Sequence, residues 1–220
     1  MARQERAEQT RRSLMEAAAH VFDDVGYEAA ALNAISSTAG VSKGALTFHF
    51  ASKAELADAV QALSCRRARH AIAKVAHAQL PALQAVIDVT HTLADILQQD
   101  RVTRAGLRLS RERGPVAGAA MDWDRTWTKP VRTWLLEARS DRSLPGDADV
   151  HAVAAFVAHL IAGLEITTRH RGILAEVIPA CASGTTSDSR AWLTRVWKLV
   201  LPDIAIEPAD FQPQASSSLL

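Results

Sequence analysis

The sequence is short of several features that mark particular classes of protein. Only two of its 220 residues are cysteine, Cys65 and Cys181, which is too few for a disulfide framework and fits a reducing cytoplasm. The opening MARQERAEQTRR is charged and has no apolar core, so no secretory signal is expected there. The most apolar run, at 152–166, contains His159 and Glu165 and is shorter than the roughly 20 apolar residues of a membrane span. We therefore expect a cytoplasmic protein with a buried helix at this run and no membrane partner.

An excess of charge of one sign is also missing. Lys and Arg number 25 against 24 Asp and Glu, a formal net charge of +1, so any surface that binds nucleic acid has to be local. No glycine-rich phosphate loop, nucleophile elbow or H-E-x-x-H zinc motif is recognised. Cys65, His70 and His77 do not have the spacing that brings zinc ligands to one helix face. We expect no catalytic residue, metal or cofactor, and an all-α enzyme is kept as the alternative from another class.

Helical periodicity dominates the chain, and convincing alternating strands are absent. A first helix is predicted at about 4–25, closed by Gly26, and a short second one at 32–39, closed by Gly40. Ser42 can cap a third helix at about 43–48, and the box Ser52-x-x-Glu55 opens a long fourth helix reaching Gln79. Further helices are predicted at 81–98, 101–112, 122–140, 147–170, 173–181 and 188–201, with a frayed tail from Pro202.

The second and third helices, joined by a glycine turn, have the pattern of a helix-turn-helix unit, whose second helix enters the DNA major groove. In VSKGALTFHF, Gly44 leaves the backbone bare for close approach and Lys43 offers a cation to a base or phosphate. We expect Phe48 and Phe50 to pack inward. An ordinary helical hairpin is the alternative. Four early arginines suit a phosphate-binding arm, or else a solvated helix start paired with Glu5 and Glu8: Arg3, Arg6, Arg11 and Arg12.

The run FDDVGYEAA, followed by LNAISSTAGVSKGALTFHFASKAELADAV, resembles the TetR family of transcriptional repressors over about residues 6–60. The resemblance implies an all-α chain: a three-helix helix-turn-helix DNA-binding domain at 1–52, a helical ligand-binding and dimerisation domain at 53–202, and a tail at 203–220. The chain departs from the family at Thr47, where a tyrosine usually contacts the DNA backbone, and at Ala31, where Thr or Ser is usual. The implied DNA contacts, joined by two of the early arginines, are Arg3, Arg6, Ser42, Lys43, Gly44, Thr47, His49 and Lys53.

The segment RVTRAGLRLSRERG, followed by Trp127, is similar to the γ-butyrolactone autoregulator receptors of actinomycetes. That resemblance implies that the Trp127 indole lines a pocket and packs on a signalling molecule. Periodicity alone leaves this indole in an apolar stripe that is more typical of core than of pocket. The other candidate pocket residues, each equally typical of plain core, are Leu83, Val86, Ile87, Leu107, Phe156, Leu160 and Leu164.

Two late helices carry apolar stripes that predict a four-helix dimer interface. The combined expectation is a homodimeric repressor that binds a near-palindromic double-stranded operator and is released by a small apolar autoregulator of γ-butyrolactone or related type, controlling secondary metabolism. A pseudo-receptor that answers to an antibiotic or to no ligand is the alternative within the family. The predicted interface residues are Val150, Val157, Ile161, Trp192, Val196 and Leu199.

Overall fold

The computed structural model describes residues 2–114, 122–169 and 186–215. All regular secondary structure in these ranges is helical, which confirms the predicted all-α fold. The predicted helix at 173–181 lies outside the described residues. The helices are α1 (Ala2–Ala29), α2 (Leu32–Thr38), α3 (Lys43–His49), α4 (Lys53–His77), α5 (Ala82–Gln99), α6 (Arg101–Arg113), α7 (Trp123–Ser140), α8 (Val150–Arg169) and α9 (Thr186–Ile204), followed by a 3-10 turn (Pro208–Asp210).

The chain divides into two compact units. The first comprises Met1–Arg67 and Asp100–Thr126, and the second comprises Ala68–Gln99 and Trp127–Leu220. This division assigns the first part of α4 and all of α6 to the unit that contains α1–α3. The domain boundary predicted from sequence, at residue 52, includes only the helix-turn-helix segment. The first compact unit contains that segment and, in addition, the first part of α4 and all of α6.

The first unit has its core among α1–α4 and α6. Large apolar side chains at helical spacing are fully buried there, including Leu14, Phe22, Ile35, Leu46 and Leu56. The predicted helix signals act as expected: the Ser42 hydroxyl accepts from Ala45 N at 3.1 Å, and Ser52 accepts from Glu55 N at 3.1 Å. Gly40 takes a φ of 67°, which permits the tight turn between α2 and α3.

Helix α6 is bound to the C-terminal end of α1 by ion pairs and hydrogen bonds. Arg104 Nε lies 3.0 Å from Asp23 Oδ2, and Arg108 Nη1 donates to the Asp23 carbonyl at 2.8 Å. The Glu112 carboxylate accepts from Tyr27 N at 2.6 Å. The segment RVTRAGLRLSRERG, known from sequence only through its resemblance, therefore has a structural role: its charged residues hold α6 against α1.

The second unit packs α5 against α8 and α9. The Trp197 indole donates to Thr90 Oγ1 at 2.9 Å, and the Phe156 ring meets the Trp197 ring edge-on at 5.8 Å between centroids. By length and mean hydropathy (1.7) the Val150–Thr168 stretch of α8 could cross a membrane, a property that core helices of soluble proteins share. Here α8 packs on α5 and buries Val157 and Leu164.

The prediction of a frayed tail from Pro202 is wrong for the described part. Helix α9 continues to Ile204, and the Phe211 side chain is buried. The Gln84 side chain both donates to Gln212 O (3.0 Å) and accepts from Gln212 N (2.8 Å). Proline and serine content suggested fraying, but two buried polar side chains on α5, Gln84 and His91, bind the backbone of this segment. Residues 216–220 lie outside the described range.

Candidate DNA interface and ligand-binding site

Helix α3 is anchored from one side and open on the other. Leu46 and Phe50 are buried beneath it, while Ser42, Lys43 and Gly44 are exposed at its N-terminal end. A Cβ atom built on Gly44 would meet only Ser42 Oγ, at 3.9 Å, so the helix surface here is bare backbone. This arrangement leaves the N-terminal turn of α3 accessible to a large, flat partner such as a duplex groove.

The remaining predicted DNA residues have mixed environments. Thr47 is exposed, and its hydroxyl donates within α3, with Lys43 O at 3.2 Å and Gly44 O at 3.0 Å. His49 is half-buried, and Arg6 is exposed on α1. Arg3 belongs to α1, but its side chain lies outside the described part of the structure. Their contacts with DNA stay predictions.

The expected burial of Phe48 is wrong. Its side chain is 83% exposed, whereas Phe50 is 1% exposed as predicted. Residues two apart on a helix are separated by about 200° around its axis and cannot both face the core. The Phe48 ring instead packs edge-on against His49, with 5.2 Å between centroids. An exposed aromatic ring is therefore a part of the α3 surface that sequence reasoning missed.

The structure gives Lys53 another role than the predicted phosphate contact. Its ammonium group donates to Tyr27 O at 2.8 Å and to Glu28 O and Ala30 O at 3.2 Å. These carbonyls use all three donors of the ammonium group. The Lys53 Nζ also lies 4.5 Å from the Tyr27 ring centroid. We therefore remove Lys53 from the proposed DNA contacts, since it caps the end of α1.

The early arginines lie on a helix and not on an extended arm, because α1 begins at Ala2. Arg11 packs over the Phe50 ring at 4.3 Å and donates to His49 O at 3.4 Å. It thereby connects α1 to the C-terminal end of α3. This contact positions α3 but leaves the Arg11 guanidinium less available to a phosphate.

Contrary to the expectation from sequence, the letters GVSKG at 40–44 do match G-x-S-x-G, the pattern of a nucleophilic serine. That chemistry needs a strand before the serine and a helix after it. Here α2 precedes the turn, and the Ser42 hydroxyl serves as the N-cap of α3. The described residues also contain no group of His, Cys, Asp and Glu arranged to hold a metal ion.

Trp127 is the predicted ligand residue with the most telling environment. Its side chain is buried, with 5% exposure, and among the described residues its indole Nε1 has no hydrogen-bond partner. Buried indole N–H groups normally donate to an acceptor, as Trp197 does to Thr90. A buried donor without a partner within the described ranges fits a ligand that supplies its own acceptor oxygen.

The other predicted pocket residues are apolar and buried or half-buried. Their burial does not distinguish residues that line a pocket from residues that pack in the core. Phe156 is half-buried. The hydroxyls of Thr167 and Thr168 donate to Leu164 O and are engaged within α8. Leu107 is buried in the first unit, while the buried members of the set in the second unit are Leu83, Val86, Ile87, Leu160 and Leu164.

The predicted dimer interface is wrong for three residues. Val150, Val157 and Ile161 are buried within the chain's own fold, at 5%, 0% and 3% exposure, and have no surface left for a partner. The apolar residues at helical spacing on α8 form the face of the helix that packs within the chain. Leu199 on α9 is 75% exposed and Ile166 on α8 is 46% exposed. Trp192 and Val196 are half-buried.

Comparison with known proteins places these features among bacterial regulators. Residues 14–60 match the family described as bacterial regulatory proteins, tetR family. The chain is 32% identical over 205 residues to the A-factor receptor protein of Streptomyces griseus, covering 93% of this chain and 67% of that protein.

Two solved structures are similar over nearly the whole chain. One is the crystal structure of a γ-butyrolactone receptor, an ArpA-like protein, with 28% identity, a TM-score of 0.74, and coverage of 93% of this chain and 92% of that chain. The other is CprB of Streptomyces coelicolor in complex with its biological operator sequence, with 29% identity, a TM-score of 0.74 and 93% coverage of both chains.

Proposed function

Because this chain belongs to the TetR family of bacterial regulatory proteins, we propose that it is a ligand-relieved transcriptional repressor. In this proposal a homodimer binds a near-palindromic operator in the cytoplasm, without a membrane partner. A small apolar molecule of the γ-butyrolactone type, or a related one, releases it and so turns on secondary metabolism. The relatives support this reading, since one is an A-factor receptor and another was solved on its operator.

The proposed DNA surface is the exposed side of α3. Lys43 offers a cation near the helix start, and Gly44 allows the backbone to approach closely. Phe48 replaces Lys53 in the set that sequence reasoning assembled. An apolar ring that is 83% exposed in the free protein can be buried against thymine methyl groups in the major groove. These three positions would read or touch bases, and Arg6 would contact phosphate.

The observation that carries ligand responsiveness is the buried Trp127 indole, whose Nε1 has no hydrogen-bond partner in the part of the chain that the structure describes. A lactone carbonyl or a hydroxyl of the signal would accept from Nε1, and an alkyl chain would pack on the indole ring. If the ligand supplies the acceptor for this buried donor, the site distinguishes ligands that carry the acceptor from analogues that lack it. An analogue without the acceptor leaves the indole N–H unsatisfied and therefore binds more weakly.

Release requires the ligand to favour a conformation that the operator does not. Helix α4 is continuous from Lys53 to His77 and contributes residues to both units, so a ligand-favoured displacement of this helix would change the placement of α3. Moving a 1:99 equilibrium to 99:1 takes about 5.5 kcal/mol of differential affinity.

A gel-shift release assay tests the proposal. The protein is bound to its own upstream DNA, and γ-butyrolactones, butenolides, furans and antibiotics are added in turn. We expect one class to release the DNA. Trp127→Ala should keep operator affinity and lose release, and Trp127→Phe, which retains a ring but not the N–H, should need roughly 3–10 times more ligand.

Other outcomes identify the alternatives. Release by an antibiotic alone, or by none of the compounds, would indicate a pseudo-receptor. Failure to bind any upstream fragment would contradict the repressor and reopen the all-α enzyme. Release that survives Trp127→Ala would place the pocket elsewhere.

A further inference from the structure

A cleft lies in the first unit, between α1 and α4, with a volume of about 610 Å³. Its apolar lining consists of Met15 from α1 and Ala59, Ala62 and Leu63 from α4. This volume lies within the roughly 300–1,000 Å³ of small-molecule sites. None of the residues that we associate with the signalling ligand lines the cleft, so it is a separate feature.

Four arginines and two glutamates complete the cleft lining, and three of these six charged residues have partners within the protein. Arg67 lies 2.5 Å from Asp100 and 3.8 Å from Glu16. Arg11 is held by the Phe50 ring and the His49 carbonyl. The other three are exposed: Glu8 and Arg12 on α1, and Arg66 on α4.

Among the described residues, the guanidinium groups of Arg12 and Arg66 have no hydrogen-bond or ion-pair partner. Two guanidinium groups from two helices, both without a partner among these residues, thus lie beside the apolar lining of the cleft. Guanidinium groups favour carboxylate and phosphate oxygens, to which they form paired, charge-assisted hydrogen bonds.

We propose that this cleft binds an amphipathic organic anion: an alkyl or aryl body on the Met15 and Leu63 floor, and a carboxylate or phosphate monoester head at Arg12 and Arg66. Glu8, which is exposed at the cleft, repels the anionic head and so directs it toward the arginines. A neutral lactone has no group that these two cations require. The site therefore serves a different chemical class from the one expected at Trp127.

Binding here would affect DNA recognition through Arg11. This residue lines the cleft and contacts both the last residue of α3 and the Phe50 ring that follows it. An anion that draws the Arg11 guanidinium toward itself would loosen that contact. We expect occupancy to lower operator affinity. The binding itself does not depend on the proposed release mechanism.

The test follows the Met15 methyl group by NMR, using full-length protein with 13C-labelled methionine methyls. The chain has three methionines, so assignment by Met15→Leu is simple. Octyl phosphate and octanoate are titrated as separate arms to distinguish a phosphate from a carboxylate head. Octanol and inorganic phosphate are the controls that lack the head and the tail. We expect a saturable shift of the Met15 signal with at least one amphiphile and none with either control.

The double variant Arg12→Gln/Arg66→Gln should weaken that binding by at least about tenfold, because the charge-assisted hydrogen bonds to the anionic head are lost. Arg132→Gln/Arg139→Gln, two exposed arginines of α7, is the matched control and should bind as the unmodified protein does. The proposal is overturned if Met15 does not respond, if octanol shifts it equally, or if both double variants bind alike.

Discussion

At the scale of single residues, the two phenylalanines at the C-terminal end of α3 have different roles: Phe50 stabilises the fold, and Phe48 is available for binding. Phe50 is buried in the core of the first unit, and Phe48, two positions earlier, is almost entirely in solvent. Removing a buried aromatic ring costs its transfer free energy and leaves a cavity. Removing an exposed one costs the fold little, so any effect of that change must appear in binding.

We therefore predict opposite phenotypes for two alanine variants. Phe50→Ala should lower the free energy of unfolding by about 3–5 kcal/mol, measured by urea denaturation. Phe48→Ala should change it by no more than about 0.5 kcal/mol, while gel-shift titration shows operator affinity lowered by roughly tenfold. A Phe48→Ala protein with unchanged operator affinity would exclude this ring from the DNA surface.

The sequence could predict the position of α3 but not the orientation of each of its side chains. Ser42, Gly40 and the Ser52 capping box have local signatures, and each functions as expected. The bonds of Lys53 to Tyr27, Glu28 and Ala30 join residues 23–26 positions apart. No local sequence pattern predicts such contacts, and a lysine at a helix start has the pattern of an anion-binding position.

At the scale of elements, α6 approaches α4 closely at Gly106. A Cβ atom on Gly106 would lie 2.2 Å from Ser64 Cβ and 2.4 Å from Ser64 Oγ. The glycine of the RAG segment is therefore required by helix packing and not by a turn. The resemblance of this segment to a receptor motif could be recognised from sequence. The physical reason for a glycine at position 106 is its close contact with Ser64.

Gly106→Ala should consequently destabilise the protein by about 1–3 kcal/mol, because α6 must move away from α4 or the Ser64 side chain must shift. Gly44→Ala is the matched control within a helix of the same unit, since its nearest new contact is an ordinary 3.9 Å. That variant should unfold at the same or slightly higher urea concentration. Equal stability of the two variants would show that α6 tolerates the displacement.

At the scale of the whole molecule, contacts between residues distant in sequence order the C-terminal segment, for which the composition predicts fraying. The C-terminal segment crosses α5, where the His91 imidazole Nε2 lies 3.0 Å from Pro213 O. Burial lowers the pKa of His91 from its usual 6.5, against the opposing effects of the Pro213 hydrogen bond and of Asp95 and Asp88, while Arg190 also lowers it. The folded chain thus holds this imidazole neutral where the unfolded chain begins to protonate it.

The sign of the resulting pH dependence is fixed. Well above pH 6.5 neither state is protonated at this site, and the contribution of His91 to stability is complete. As the pH falls through 6.5 toward the lowered folded pKa, the unfolded chain binds the proton first and the free energy of unfolding decreases. Urea denaturation at several pH values should show this decrease, and His91→Gln should reduce it. An identical pH profile for the variant would exclude His91 as its source.

Assembly is the property that a single chain's periodicity describes least well, because stripes facing a partner and stripes facing the core have the same spacing. Burial separates them here: Val157 is enclosed, whereas Leu199 on α9 and Ile166 on α8 remain in solvent. A repressor that reads two half-sites needs two copies held at a fixed separation. We therefore assign the proposed interface to the exposed apolar residues of these two helices.

Leu199→Asp should convert the protein to a monomer, measured by size-exclusion chromatography with light scattering, since a carboxylate buried at a twofold contact meets its own copy or remains unpaired. Operator affinity should fall with it, because each monomer contacts only one half-site. Leu136→Asp on α7, at 44% exposure against 75% for Leu199, introduces the same charge on another apolar surface position and should leave the dimer intact. A Leu199→Asp protein that remains dimeric and binds the operator normally would show that the subunits associate through another face.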